Sequence, residues 1–124
     1  MKQKEKDNVN ITISDKSQKI IDIIKECDFF SDDISVARFA VAYAISKSLF
    51  DPESIEKFNL DGKRINKWSQ GTVDKDGFFG DIISVLYPNI EFPYIVIKNL
   101  IEIGLYDIEK NFLKKGKFRI SDLI

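Results

Sequence analysis

The ten residues Val36 to Ile45, V-A-R-F-A-V-A-Y-A-I, constrain this chain more than any other stretch. At 3.6 residues per turn their apolar side chains occupy nearly the whole circumference of a helix, so the helix has to be surrounded by a core or by another subunit. Ser31-Asp32-Asp33 supplies N-cap chemistry in front of it. The helix is expected to run to about Leu49, before Asp51-Pro52 redirects the chain. A chain of 124 residues encloses little, so the all-round apolar surface predicts a homo-oligomer that shares this helix.

Upstream, Asn8 to Ser14 reads N-V-N-I-T-I-S. The strict alternation places Val9, Ile11 and Ile13 on one face of a short β-strand and Asn8, Asn10, Thr12 and Ser14 on the other. Ser14 or Asp15 then caps a helix through about Asp28, with Ile20, Ile24 and Cys27 along one stripe, where Cys27 acts as a small apolar filler. Downstream, Leu60-Asp61-Gly62 is a turn, and Lys63 to Gly80 reads mostly as loop. Asp74 is expected to cap a helix over Phe78 to Leu86. Pro93 opens another from Tyr94 to about Ile103, closed by Gly104, and a last helix covers Leu105 to Leu113. The fold class is mainly α: a short N-terminal strand, a helix pair and a C-terminal helical bundle. The chain reads as one domain, 1–124, with a strand-helix-helix part at 8–50, a loop-rich middle at 51–81 and C-terminal helices at 82–124.

Several chemistries fall away on composition. With no His and one Cys, a Ser-His-Asp or Cys-His pair, a His-ligated metal and a CxxC site are excluded, and no enzyme motif is present. The run D-K-D-G, Asp74 to Gly77, fails as a calcium loop because Phe78, Phe79 and Val85 occupy positions that require an oxygen ligand, Gly and a carboxylate. No metal or cofactor is expected. The longest apolar run is too short to span a bilayer and residues 1–8 are polar, so a soluble, cytoplasmic protein without membrane association is expected.

The net charge of -1 conceals clusters. Lys110, Lys114, Lys115, Lys117 and Arg119 fall in a stretch free of Asp and Glu, Lys63, Arg64 and Lys67 adjoin Trp68, and Lys2, Lys4 and Lys6 mark the start. Such runs are either solvated faces or phosphate contacts.

An amphipathic strand, a helix, a short polar link and a highly apolar second helix resemble the ribbon-helix-helix DNA-binding fold over residues 8–48. The resemblance implies strand pairing across a dimer, base-edge contacts from Asn8, Asn10 and Thr12 in the major groove, and Ser31 and Ser35 near phosphate at the second helix's amino terminus. Taken over most of its length, with F-N-L-D-G-K-R-I-N-K-W, G-T-V-D-K-D-G-F-F-G-D-I-I-S-V-L and the closing F-R-I-S-D-L-I, the chain also looks like the DndE family of small accessory proteins in bacterial DNA phosphorothioation. That resemblance implies a non-enzymatic, oligomeric, duplex-binding protein working through surface lysines.

The expectation is therefore a DNA-binding accessory or regulatory protein of a bacterial or phage DNA-modification or defence system. Phosphate contacts would come from Lys63, Arg64, Lys67, Lys114, Lys115, Lys117 and Arg119. The alternative is an adaptor subunit of a larger protein complex without direct DNA contact, its basic runs serving solubility.

Overall fold

Alternation at Ile11 and Ile13 drives β1 (Asn10–Ser14) onto the core, and both side chains are fully buried in the computed structural model, which describes residues 10–26, 29–49, 51 and 64–113. The chain then passes directly into α1 (Asp15–Lys25), because Ser14 keeps extended backbone angles while its hydroxyl accepts from the Ser17 N–H at 3.1 Å. Glu26 closes this helix earlier than the sequence suggests, and Cys27 and Asp28 lie outside the described residues. Asp32 caps α2 (Asp33–Ser46) by accepting from the Ser35 N–H at 2.8 Å. This helix also ends short of Leu49. Ser48 adopts a left-handed conformation (φ 52°), and the N–H groups of Ser48 and Leu49 close back on Ile45 and Ala44.

The loop expected at Lys63 to Gly80 is instead a strand, β2 (Arg64–Ser69), and a single helical turn, α3 (Gln70–Val73). β2 pairs antiparallel with β1 of its own chain, so β1 finds its ribbon partner without a second copy. The register sets Ile13 opposite Ile65 and Ile11 opposite Trp68, with a bulge between that leaves Lys67 unmatched. Arg38, the one charge in the apolar run, leaves α2 to donate to the carbonyls of Thr72 and Val73 at 2.8 and 2.9 Å, which closes the end of α3.

Asp74 acts as the sequence predicts. Its carboxylate accepts from the N–H groups of Phe79 and Gly80 and from the Tyr94 hydroxyl, each at 2.9 Å, and so fixes the start of α4 (Phe78–Leu86) to the next helix. Gly77 makes the entry turn with a positive φ of 73°. From Pro93 one helix, α5 (Pro93–Phe112), runs straight through Gly104. The expected break is absent because Gly104 serves packing instead: a Cβ there would overlap the Ala40 carbonyl group of α2. This close approach lets α5 lie along α2, α1 and β1 as the spine of the molecule.

That placement revises the oligomer argument. Val36, Ala37, Ala40, Val41 and Ala44 are all fully buried, and Tyr43 nearly so, against α5, α1 and α3 of the same chain. The apolar run therefore no longer requires a subunit partner. Tyr43 donates to Asp107 at 2.7 Å, and burial together with that carboxylate pushes its hydroxyl up to about 12. One continuous core results, containing Ile11, Ile13, Ile21, Ile24, Ile97, Leu100, Ile101, Leu105 and Ile108. Each such side chain contributes roughly 1.5–3 kcal/mol by leaving water. No described helix is long and apolar enough to cross a membrane.

Candidate nucleic-acid interface

Two groups of residues that stand far apart in the sequence meet on the β1–β2 ribbon. Asn10 and Thr12 alternate with the buried Ile11 and Ile13, so they take the face of β1 turned away from the core. Across the ribbon, Ser69 stands opposite Asn10, Asn66 opposite Thr12 and Arg64 opposite Ser14. Two of the three strand residues expected to read bases, Asn10 and Thr12, and two residues of the middle basic cluster, Arg64 and Lys67, thus occupy one two-stranded element.

The candidates differ in availability. Asn10 is exposed. Thr12 is half-buried, and its hydroxyl oxygen is shielded without a hydrogen-bond partner among the described residues, so Thr12 does not present that group to solvent. Lys67, freed from the ladder by the bulge, reaches Asp33 Oδ2 at 2.9 Å and lies 5.7 Å from the centre of the Trp68 ring. Asp33 also accepts from Lys25 at 2.8 Å and from Gln18 at 3.2 Å, and Gln18 in turn donates to Asp22 at 2.9 Å. Burial alone would raise the Asp33 carboxyl. Hydrogen bonds from Lys25, Lys67 and Gln18 outweigh it and hold the group at about 2. Lys25 is raised in turn, mainly by its hydrogen bond to Asp33.

The amino terminus of α2 is not an open phosphate site. Asp32 occupies it as the cap and is itself lowered by the Ser35 N–H, so Ser35 has already donated its backbone proton within the chain. Ser31 is exposed but sits beside two carboxylates. Asn8, Lys63, Lys114, Lys115, Lys117 and Arg119 lie outside the described residues.

A second polar cluster was not anticipated. Glu102 of α5 is fully buried and accepts from the Ser14 N–H at 2.7 Å, from the Ser14 hydroxyl at 3.2 Å and from the Ser17 hydroxyl. Tyr106, one turn on, lies 3.2 Å from the Ser14 hydroxyl, and the Lys16 ammonium sits 4.7 Å from its ring centre. The signal available in the sequence was an acid within the apolar run L-I-E-I-G-L, which has to find donors when its helix is enclosed. This cluster joins the end of β1 and the first turn of α1 to α5. Among the described residues no group of three or more His, Cys, Asp or Glu side chains is placed to hold a metal ion. No protein-family model matches the chain, and no curated protein or solved structure is similar to it.

Proposed function

We propose that this chain is a non-enzymatic protein that binds duplex DNA through its β1–β2 ribbon, as an accessory or regulatory component of a bacterial or phage DNA-modification or defence system. The observation that carries the reading is the register that joins the Asn10 and Thr12 face of β1 to the Arg64–Lys67 segment on one ribbon. A two-stranded antiparallel ribbon is one of the two elements that the major groove admits. The chain supplies both strands itself, so the ribbon-helix-helix likeness is taken over by an intrachain pair.

In this reading Asn10 pairs with an adenine edge, which offers a matching donor and acceptor. Thr12 contributes apolar contact to a thymine methyl. Arg64 leads the phosphate contacts from the ribbon, because the charge of Lys67 is shared with Asp33. Lys63 and the run Lys114, Lys115, Lys117 and Arg119 add sequence-independent attraction.

Fluorescence anisotropy of a labelled duplex titrated with the protein tests this. Binding at low salt should weaken by about tenfold or more on raising salt fourfold, since several phosphate contacts release counterions. Asn10→Ala should reduce preference among duplex sequences, and Arg64→Glu should weaken binding to all of them. Absence of measurable binding at low salt contradicts the proposal.

A further inference from the structure

The bulge in β2 leaves Lys67 without a partner on β1, and its ammonium ends instead on Asp33 Oδ2 at 2.9 Å. Asp33 does not depend on this contact. Lys25 holds its Oδ1 at 2.8 Å, and Gln18 donates to its Oδ2 at 3.2 Å. When Lys67 departs, each carboxylate oxygen keeps one donor, so no unpaired charge opposes the departure. The pair can also be reached from solvent, with 25% of the Lys67 side chain and 18% of the Asp33 side chain exposed. The ammonium sits on a flexible four-carbon stem and can swing while the ribbon backbone stays in place. An ion pair of this partial exposure is weak, and a duplex phosphate that competes for the same ammonium gains in addition from counterion release.

We propose that Asp33 is a positioning residue that holds Lys67 off the duplex, and that a phosphate has to displace this carboxylate before Lys67 joins the contacts of the ribbon. The inference rests on the reading of the β1–β2 ribbon as the duplex-binding element. Lys67 then has two positions. In the free protein it lies on Asp33, and in the complex it lies on a phosphate, with Asp33 left to Lys25 and Gln18. Parting the pair offsets most of what Lys67 gains from the phosphate. Removing Lys67 alone therefore changes duplex affinity little, which conceals its part in binding from single substitutions. The carboxylate, by contrast, restrains binding twice, by retaining the ammonium and by repelling the duplex itself. Only a comparison with and without Lys67 separates these two effects.

A double-mutant cycle read by anisotropy of a labelled duplex at fixed low salt tests the proposal. Asp33→Asn should tighten binding about three- to fivefold, whereas Lys67→Gln in the otherwise wild-type chain should weaken it less than about twofold. In the Asp33→Asn background, Lys67→Gln should remove most of the gain, because the freed ammonium is its source. Asp33→Ser should repeat the result without an amide at that position, and an unchanged far-UV spectrum shows that each variant keeps the fold. In ¹⁵N spectra of the lysine side chains, the Lys67 ammonium signal should move when duplex is added to wild type and should already be displaced in free Asp33→Asn. A gain of equal size with and without Lys67 overturns the proposal and reduces Asp33 to a repelling charge. Unchanged affinity in both carboxylate-free variants overturns it too, as does a Lys67 signal that stays in place while duplex saturates wild type. In these three outcomes the duplex is still bound, so the ribbon reading stands. If neither wild type nor Asp33→Asn binds duplex, the ribbon reading is overturned and this inference falls with it.

Discussion

The Lys67 ammonium lies 2.9 Å from the Asp33 carboxylate, which ties the bulge of β2 to the first turn of α2. With Lys25 on the other carboxylate oxygen at 2.8 Å, Asp33 joins the ribbon, α1 and α2 at a single point. Because the folded state holds this carboxyl at about 2, below its ordinary 3.8, ionised Asp33 stabilises the fold. Its contribution is complete above the unfolded value and is lost as pH falls from about 4 toward 2. In urea unfolding, wild type should exceed Asp33→Asn by a constant margin above about pH 5, and that margin should shrink between about pH 4 and 2. A margin unchanged across that window contradicts the assignment.

Glu102 supplies the acceptors for Ser14 and Ser17 inside the core. Glu102→Ala leaves a buried N–H and two hydroxyls without their acceptor and opens a void, a loss of about 3–5 kcal/mol. Glu102→Gln retains one acceptor oxygen and the shape, so it should lose less than half as much. Equilibrium denaturation of the two variants gives the comparison, and equal losses would show that the carboxylate does not organise this junction.

Gly104→Ala inserts a methyl group where the Ala40 carbonyl already lies. Backbone does not move aside as a flexible side-chain end does, so α2 and α5 have to separate. A destabilisation of about 2–3 kcal/mol is expected, at the upper end for overpacking. Thermal melting detects it, and a neutral substitution would show that the two helices do not cross at this point.

At Ser48 the backbone takes a left-handed angle that Gly adopts without penalty. Ser48→Gly should stabilise by about 0.5–1 kcal/mol after the greater freedom of the unfolded chain is counted. A denaturant midpoint that falls would contradict this.

Local signals were legible in the sequence and long-range ones were not. The Ile11 and Ile13 alternation, the caps at Ser14, Asp32 and Asp74 and the proline at the start of α5 are read from neighbouring residues, and the structure places them as expected. β2 escaped notice because its bulge puts Ile65 and Trp68, both paired with core residues of β1, three positions apart, which erases the period of two. Gly104 carries the composition of a helix stop, yet the demand that decides it comes from Ala40 on another helix. Dividing α5 at that glycine also hid the long apolar surface that encloses α2, and so made a subunit partner look necessary. As for the site, Asn10 and Arg64 share a ribbon only through strand register, which no local pattern encodes.

The central claim, that the β1–β2 ribbon meets duplex DNA, is tested most directly by amide chemical-shift mapping of the ¹⁵N-labelled protein as duplex is added at low salt. The largest shifts are expected at Asn10 to Thr12 and Arg64 to Ser69, with α4 unaffected. Shifts confined to α4 and α5, with the ribbon unmoved at saturating duplex, would contradict it.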